Sequence, residues 1–313
     1  MRKLVTWLLG IALSVLPIAT ANAWFEREVS RSGLYGTLVL PEGASPVRAV
    51  LILAGSGPTD RNGNNPAGAN DSLKLIAHGL AAEGIASLRV DKRGIAASAI
   101  AAVREEDLRI ETYVTDAVAW LDFLRGEMTQ SRLFVLGHSE GALIATLAAR
   151  RSDVAGLILV AGAGENADRI IARQLAAGGV PEELRAASKR IAESLHARQP
   201  VAEVPAALFA LYRPSVQNYL MSWLPLDPAK ELAATRVPAL IVQGTHDLQI
   251  LPEDARRLAS ARPGTKLVLI DGMNHVLKNA PLERSANLST YVRPDLPLAP
   301  TLMPAIVEFI GGL

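Results

Sequence analysis

Three side chains far apart in the sequence, Ser139, Asp247 and His275, have the types needed for nucleophilic catalysis. A serine hydroxyl is a poor nucleophile near neutral pH, so it needs a base within hydrogen-bonding reach and an acid that orients the base. In this assignment His275 takes the proton from Ser139 and later donates it to the leaving group. Asp247 fixes the imidazole tautomer and stabilises the imidazolium. The three residues therefore predict acyl transfer through a covalent intermediate on Ser139.

Ser139 lies at the centre of the pentapeptide Gly137–Gly141, which has the pattern G-x-S-x-G. The apolar run Leu133–Leu136 precedes it and the helix-like segment Ala142–Arg150 follows it, so the pattern lies between a predicted strand and a predicted helix. A serine on such a sharp turn is exposed above the sheet edge, and the crowded turn requires small residues at both glycine positions. The helix that follows points its amide N–H groups and positive dipole end at the serine.

The two partners of Ser139 follow two further predicted strands. Asp247 comes shortly after the strand Val237–Val242, and His275 comes shortly after the strand Leu267–Ile270. Because the carboxyl ends of parallel strands meet at one edge of a sheet, we expect both partners beside Ser139. The order Ser, Asp, His along the chain is also the order that accompanies a G-x-S-x-G turn.

Two other residues compete for the roles of acid and base. Glu165 follows the predicted strand Val154–Val160 and is the alternative acid, whereas His246 is the alternative base. His246 shares a loop with Asp247, so its side chain is expected to point elsewhere, and we prefer Asp247 and His275. The remaining histidines are assigned to other places: His78 to a helix, His138 to the position next to Ser139, and His196 to a helical insertion.

Acyl transfer also requires hydrogen-bond donors for the oxyanion that forms on the substrate carbonyl. One predicted donor is the backbone N–H of Glu140, the residue after the nucleophile. The other is expected in the loop after the strand Val47–Leu53, where glycines let the backbone approach a substrate closely. We predict the Ser56 amide as this donor, with Gly57 as the alternative.

Two polar loops are predicted near the site because each follows a strand. We interpret Asp60 and Arg61 as an internal pair that holds its loop in shape, with substrate contact as the alternative. Residues 91–94, Asp-Lys-Arg-Gly, are likewise interpreted as loop scaffolding.

Strands alternate with helices along most of the chain, which predicts an α/β fold with a doubly wound, mostly parallel sheet. Nearly continuous apolar runs indicate strands whose two faces are both covered by helices. Eight strands are predicted: Glu26–Ser30, Leu34–Leu40, Val47–Leu53, Ile85–Val90, Leu133–Leu136, Val154–Val160, Val237–Val242 and Leu267–Ile270. Helices between and after them are predicted at Ser72–Glu83, Glu111–Arg125, Ala142–Arg150 and Leu302–Ile310.

A long segment between the strands ending at Val160 and beginning at Val237 breaks this alternation. We predict a helical cap at residues 163–234, inserted into an α/β core formed by residues 24–162 and 235–313. An ordinary crossover is the alternative, but crossovers are usually much shorter. The helical segments predicted within the cap are around Asp168–Ala177, Pro181–Arg198 and Val204–Tyr212. The apolar residues expected to form mainly the cap's own core, with an acyl pocket as the alternative, are Leu208, Leu211, Tyr212, Tyr219 and Trp223.

Residues 1–23 have the pattern of a secretory signal peptide. Arg2 and Lys3 precede the apolar segment Leu4–Leu16, and Ala21–Ala23 is a small-x-small cleavage site. The apolar segment is short for a membrane span, so an uncleaved anchor is the less favoured alternative. We therefore expect an exported protein, periplasmic or secreted, with no stable membrane insertion after cleavage.

Composition excludes several classes of partner and site. The chain of 313 residues has a net charge of +1 with acidic and basic residues interspersed, so no nucleic acid partner is expected. It has no cysteine, which excludes disulfides, thiolate metal ligands and a cysteine nucleophile. The catalytic assignment requires no cofactor, and no metal site is predicted.

Four segments together resemble the α/β-hydrolase superfamily: Gly137–Gly141, Gly55–Asn64, Gly244–Asp247 and Asp271–His275. Within it, the loop Gly-Ser-Gly-Pro-Thr-Asp-Arg-x-Gly-Asn and the Ser-Glu pair at the turn resemble bacterial carboxylesterases near the serine-aminopeptidase and prolyl-oligopeptidase branch. The resemblance implies the α/β-hydrolase fold, the Ser-Asp-His triad assigned above, and hydrolysis of small-molecule carboxylic esters, typically with short acyl chains. One departure is Ala-Gly before Ser56, where these esterases usually have His-Gly; it removes a side-chain contact but not the amide donor.

Two other functions compete with ester hydrolysis. A peptidase acting on short peptides or amino-acid amides would use the same triad, with Glu165 or Arg93 recruited to bind a terminal charge of the substrate. A non-catalytic exported binding protein is the second alternative, but a binding protein has no need of all three triad residues.

Overall fold

The computed structural model describes residues 24–43, 46–100 and 104–313, and the predicted signal peptide at residues 1–23 lies outside them. The described strands form one sheet and are β1 (Trp24–Arg31), β2 (Leu34–Pro41), β3 (Arg48–Leu53), β4 (Ala86–Val90), β5 (Arg132–His138), β6 (Gly156–Val160), β7 (Ala239–Gly244) and β8 (Lys266–Ile270). The described helices are α1 (Ser72–Ala82), α2 (Ile110–Glu127), α3 (Glu140–Ala149), α4 (Ala167–Ala177), α5 (Glu182–His196), α6 (Phe209–Tyr212), α7 (Gln217–Trp223), α8 (Pro228–Ala233), α9 (Pro252–Ala261), α10 (Arg284–Ser289) and α11 (Leu302–Gly311). None of these helices is long and apolar enough to cross a membrane.

The sheet has the strand order β1-β2-β4-β3-β5-β6-β7-β8. Strand β2 pairs antiparallel with β1 and β4, and the other neighbouring strands pair parallel, which confirms the predicted doubly wound, mostly parallel sheet. Strand order reverses around β3, which has β4 on one side and β5 on the other. Ligands of open α/β sheets bind at such a reversal. The loops that follow β3 and β5 carry Ser56 and Ser139, so two of the predicted site residues meet there.

Helices cover both faces of the sheet because the central strands are apolar on both sides. Helices α2 and α3 pack on one face, where Trp120 and Leu121 are buried. Helices α1 and α11 pack on the other face, where Ile76 and Ile306 are buried. Each such side chain contributes roughly 1.5–3 kcal/mol when it is removed from water. These two apolar layers hold the strand ends that carry the site in fixed positions.

Residues 161–238 connect β6 to β7 and contain helices α4 to α8; we call this segment the insertion. Its helices have an apolar cluster of their own, in which Leu195, Leu208, Tyr212 and Leu224 are buried. Leu208 and Tyr212 are therefore core residues of the insertion, as predicted. Tyr219 instead packs with the residues of the α2 and α3 layer.

The helical segment predicted around Val204–Tyr212 is present but shorter and less regular. It consists of a 3-10 turn at Ala206–Leu208 followed by one turn of α-helix, α6. Arg213 precedes Pro214 and takes an extended conformation with ψ of 146°, because a residue before proline is disfavoured in the helical region. The chain therefore cannot continue as a helix beyond Tyr212.

Four helices, α7 to α10, were not predicted. The signal for α9 was present in the sequence: Pro252 occupies the first helical turn, and Glu253 and Asp254 place negative charge at the helix N-terminus. The Asp254 carboxylate also accepts a hydrogen bond from the Leu251 N–H at 2.9 Å. Helices α7, α8 and α10 have six or seven residues each and are too short for an apolar period to be recognised.

Candidate active site

The turn between β5 and α3 carries Ser139 at its tip. Ser139 has φ of 56° and ψ of −121°, a strained conformation for a residue with a side chain. Its N–H donates to the carbonyl of Val160 at 3.0 Å, which ties the turn to β6. A Cβ at position 137 would lie 2.0 Å from the Gly141 carbonyl oxygen, and a Cβ at position 141 would lie 2.5 Å from the Leu53 carbonyl oxygen. Both glycines are therefore required by close backbone contacts, as the sequence pattern predicts.

Replacing Gly141 by alanine is expected to destabilise the protein by several kcal/mol, on the scale of strong overpacking, because the new methyl group meets backbone atoms that cannot rotate away. Gly126→Ala is the matched control: a Cβ there has no neighbour within 4 Å, and alanine is the better helix former. Chemical denaturation followed by circular dichroism measures both variants. A Gly141→Ala midpoint equal to that of the wild type would contradict the crowded turn.

Asp247 and His275 are joined by a hydrogen bond between two buried side chains, with 2.8 Å from Oδ2 to Nδ1. The other carboxylate oxygen accepts the N–H groups of Gln249 at 2.8 Å and Ile250 at 3.0 Å. Burial alone raises the pKa of Asp247, but the His275 ring and these two amides outweigh burial and lower the pKa below its usual value. Asp247 is therefore ionised at neutral pH and accepts the Nδ1–H of His275, which leaves Nε2 as the basic nitrogen.

Ser139 and His275 line the same cavity of 190 Å³, which we call the histidine-side cavity. Asp247 contacts the imidazole through the ring nitrogen Nδ1. The structure therefore brings Ser139, Asp247 and His275 together at the carboxyl edge of the sheet. A second cavity of 320 Å³, the insertion-side cavity, also reaches Ser139, and its lining includes apolar residues of α4, α6 and α7.

The loop after β3 approaches Ser139 closely, since a Cβ on Gly55 would lie 3.1 Å from the Ser139 Cβ. Lys92 donates hydrogen bonds to the carbonyl oxygens of Gly55 at 2.5 Å and Gly57 at 2.9 Å. In a planar trans peptide the C=O and the N–H point in opposite directions. The bond to the Gly55 oxygen therefore directs the N–H of Ser56 to the side opposite Lys92. Ser56 lines both cavities beside Ser139.

Glu140 begins α3, so its backbone N–H has no partner within the helix. Its buried carboxylate accepts a hydrogen bond from the Tyr219 hydroxyl of α7 at 2.6 Å. Burial lowers the pKa of Lys92, and the negative charge of Glu140 opposes that shift. Lys92, Glu140 and Tyr219 thus connect the loop after β3, the serine turn and the insertion. The sequence indicated only that residues 91–94 form a loop near the site.

One known protein family matches the sequence over most of its length. The family described as "Serine aminopeptidase, S33" matches residues 70–281, which is more than half of the sequence. The chain belongs to this family. Membership confirms the predicted α/β-hydrolase fold and the predicted position near the serine-aminopeptidase branch.

Similar proteins include one named an esterase and one named a proline iminopeptidase. Esterase EstD of Thermotoga maritima is 29% identical over 273 residues, which cover 82% of this chain and 62% of EstD. Among solved structures, Est1E from Butyrivibrio proteoclasticus has a TM-score of 0.57 at 17% identity, covering 91% of this chain and 99% of that chain. Proline iminopeptidase of Mycobacterium smegmatis has a TM-score of 0.56 at 16% identity, covering 92% and 98%. At these identities the two solved structures show the fold alone.

The residues considered as alternatives for the catalytic base, the catalytic acid and a substrate-binding charge all have other partners. His246 faces the carbonyl of Ala280 through Nδ1 at 2.6 Å. Glu165, the alternative acid, pairs with Arg257 at 3.0 Å rather than with His275. Arg93 forms an ion pair with Asp116 at 2.6 Å.

Within residues 24–43, 46–100 and 104–313, no group of three or more His, Asp or Glu side chains is arranged to hold a metal ion.

His138 supports the loop that carries His275, a role that sequence reasoning missed. Its Nε2 lies 2.8 Å from the His275 carbonyl oxygen, and the two rings are 4.8 Å apart. Burial, together with the neighbouring His275 ring, lowers the pKa of His138 to about 3. His138 is therefore neutral at pH 7, with its proton on Nε2 because a carbonyl oxygen only accepts. The available signal was its place directly before Ser139 in a buried strand.

Arg61 scaffolds the site, but its partner is not Asp60. Its Nε donates to Asp91 at 3.0 Å, and its backbone N–H donates to the other oxygen of the same carboxylate at 2.8 Å. Asp60 instead accepts the N–H groups of Asn62 and Asn64 within its own loop. The predicted internal pair is therefore wrong, and the two polar loops of the sequence analysis are joined to each other.

The turn after His275 contains a buried lysine. Lys278 is fully buried and donates from Nζ to the Leu296 carbonyl oxygen at 2.5 Å. Burial lowers its pKa from 10.5 to about 8, and the negative charges of Asp71 and Asp295 oppose this shift. Below about pH 8 the folded protein therefore holds a buried positive charge.

Stability is expected to rise with pH between about 8 and 10.5, because the unfolded chain still binds a proton on Lys278 in this range and the folded chain does not. The slope is at most about 1.4 kcal/mol per pH unit. Lys278→Met is therefore expected to be more stable than the wild type at pH 7, with the difference shrinking toward pH 10.5. Urea denaturation between pH 7 and 10.5 measures the free energy of unfolding of both proteins. A difference between them that does not change with pH would contradict the buried charge.

Proposed function

We propose that this chain is a serine hydrolase that cleaves carboxylic esters of small molecules. The observation that carries the proposal is the Asp247–His275 hydrogen bond at a cavity that Ser139 also lines. EstD, a relative 29% identical to this chain, is named an esterase, which supports esters as the target.

In the proposed reaction Ser139 Oγ attacks the ester carbonyl while His275 Nε2 takes the hydroxyl proton. The developing oxyanion accepts the N–H groups of Glu140 and Ser56. His275 then donates its proton to the departing alcohol, and the acyl group stays on Ser139. Water then attacks the acyl carbon while His275 takes a proton from it. The bond between the acyl carbon and Ser139 Oγ breaks, His275 returns the proton to Oγ, and the carboxylic acid is released. Throughout, the ionised Asp247 stabilises the imidazolium.

The proposal extends to the organisation of the chain. Residues 163–234 act as a cap on an α/β core of residues 24–162 and 235–313. The apolar cluster within the insertion and the cavity between the insertion and Ser139 support this division. We also propose that residues 1–23 direct export to the periplasm or the medium, on the sequence pattern given above.

The experiment that tests the activity is hydrolysis of p-nitrophenyl esters from acetate to palmitate by the wild type and Ser139→Ala, with an amino-acid p-nitroanilide in the same plate. We expect serine-dependent turnover that is highest for short acyl chains. Amide turnover exceeding ester turnover would assign the chain to the peptidases instead. Absence of serine-dependent turnover on every substrate would overturn the proposal and favour a binding protein.

Lys92 is expected to hold one oxyanion donor in place through the carbonyls of Gly55 and Gly57. Lys92→Met should lower kcat about 10- to 100-fold while KM changes less than about threefold, because a misplaced donor weakens transition-state binding most. Steady-state kinetics on p-nitrophenyl acetate measure this, with the exposed Lys230→Met as the matched control. An unchanged kcat with a raised KM would contradict this positioning role.

A further inference from the structure

Two cavities of different chemistry meet at Ser139. The histidine-side cavity has a volume of 190 Å³ and the insertion-side cavity 320 Å³. His275 lines the first cavity and not the second, whereas Ser56, Ser139 and Gln249 line both. An ester bound at Ser139 has two arms, so each arm is expected to occupy one cavity.

The position of His275 decides which arm enters which cavity, and this step rests on the proposed function. The bond between the carbonyl carbon and the alcohol oxygen breaks as the Ser139–acyl intermediate collapses, and His275 Nε2 donates its proton to that oxygen. The departing oxygen must therefore lie within hydrogen-bonding distance of His275. The alcohol arm consequently extends into the histidine-side cavity. The acyl arm is left with the insertion-side cavity.

The linings of the two cavities then indicate the chemistry of each arm. Besides the triad residues and His138, the side chains around the histidine-side cavity are mostly neutral and polar. They include Thr59, Asn65, Asn70, Ser72, Gln249 and Tyr291. A neutral polar lining provides hydrogen-bond donors and acceptors without a full charge, which suits hydroxyl groups rather than a carboxylate or an ammonium group.

The insertion-side cavity has the opposite character. Most of its lining is apolar, including Leu143, Ile171, Leu211, Val216 and Trp223. Its charged side chains have partners: the buried Glu140 carboxylate accepts from the Tyr219 hydroxyl, and Glu165 is paired with Arg257. Arg213, which also lines the cavity, donates to Glu105 at 2.8 Å. An apolar acyl chain that is removed from water in this cavity gains roughly fourfold in binding for each buried methylene.

We propose that the substrates are esters of an apolar carboxylic acid with a hydroxylated alcohol, with the acid in the insertion-side cavity and the alcohol in the histidine-side cavity. Tyr291 is the residue assigned to the alcohol. Its hydroxyl accepts a long contact of 3.4 Å from Gln249 Nε2, and its own O–H is able to donate to a hydroxyl of the substrate. Leu211, which is 37% exposed, borders the acyl arm.

The test compares two esters that differ only in the alcohol. Butyrate esters of glycerol (2,3-dihydroxypropyl) and of 1-pentanol have alcohol arms with the same number of heavy atoms. We expect kcat/KM for the dihydroxypropyl ester to be the higher of the two in the wild type. Tyr291→Phe removes one hydroxyl and should lower the ratio of the two kcat/KM values about fivefold, the effect of one hydrogen bond. The preference of Tyr291→Phe among p-nitrophenyl esters of different acyl length should be the same as that of the wild type.

Leu211→Trp is the matched variant on the acyl side. The added ring narrows the insertion-side cavity from a partly exposed position, so it should lower kcat/KM for p-nitrophenyl octanoate relative to p-nitrophenyl acetate. The dihydroxypropyl-to-pentyl ratio should not change. A wild-type preference for the pentyl ester would overturn the proposal, and so would an exchange of the two effects between the variants. Lack of turnover on every ester, p-nitrophenyl acetate included, would overturn the esterase activity itself.

Discussion

Replacing Ser139 by alanine is expected to lower kcat for p-nitrophenyl acetate by a factor on the order of 10⁵ to 10⁶. The physical reason is that Ser139 supplies the atom that forms the covalent intermediate, and the neighbouring groups cannot replace it. The turn itself should persist, because alanine keeps the Cβ that the observed φ of 56° already accommodates. The denaturation midpoint of the variant is therefore expected to match that of the wild type.

Ser56→Ala is the matched control for this prediction. Ser56 contributes its backbone N–H, and alanine retains that group, so activity should change no more than a few fold. A loss in Ser56→Ala as large as the loss in Ser139→Ala would show that the side chain of Ser56 takes part in the reaction. Retention of ester turnover in Ser139→Ala would contradict the assignment of the nucleophile.

Asp247→Asn is expected to lower kcat by about 10⁴, the second largest effect. The amide has nearly the same shape as the carboxylate, but it carries no charge to stabilise the His275 imidazolium. It can also favour the wrong tautomer of His275. The amide NH₂ group donates to Nδ1, whereas the carboxylate accepts the Nδ1–H, and a donated bond places the ring proton on Nε2. Steady-state kinetics between pH 6 and 9 measure the change.

Asp271→Asn is the control for the acid, since Asp271 is exposed and, within the described part of the chain, its side chain is hydrogen-bonded only to Thr245. It should retain activity within about threefold of the wild type. Glu165→Gln tests the alternative acid directly. A loss near 10⁴-fold in Glu165→Gln with an active Asp247→Asn would contradict the Asp247 assignment.

The positions of the main site residues could be predicted because each depends on a local signal. Ser139 lies between an apolar strand and a helix, and Asp247 and His275 follow apolar strands directly. Once the strands are parallel, the sheet itself brings these ends to one edge. The two glycines of the serine turn were equally predictable, since the turn leaves no space for a Cβ.

Contacts between distant loops could not be predicted. His138 bonds to the His275 carbonyl across 137 residues of sequence, and nothing near His138 indicates that partner. Lys92 likewise reaches the carbonyls of Gly55 and Gly57 from a different strand end. Arg61 pairs with Asp91 rather than with its sequence neighbour Asp60. In each case the partner lies in a loop that follows a different strand, and no sequence period indicates that the two groups meet.

The insertion was harder to predict than the core for a related reason. The central strands of the sheet are nearly continuous apolar runs, whereas α6, α7 and α8 are single or double turns separated by prolines and short loops. Short helices gain most of their stability from packing, not from local propensity. Leu208 and Leu224 are buried in that packing, and the helix boundaries follow from it.

The most direct test of Ser139 as the nucleophile is active-site labelling of the wild-type protein with a fluorophosphonate, followed by peptide mapping by mass spectrometry. Such a reagent reacts with a serine that an adjacent base has activated. We expect one adduct per chain, on the peptide containing Ser139, formed in step with the loss of ester turnover and slowed by a competing ester. An adduct on another residue, or full ester turnover after Ser139 has been labelled, would contradict the assignment.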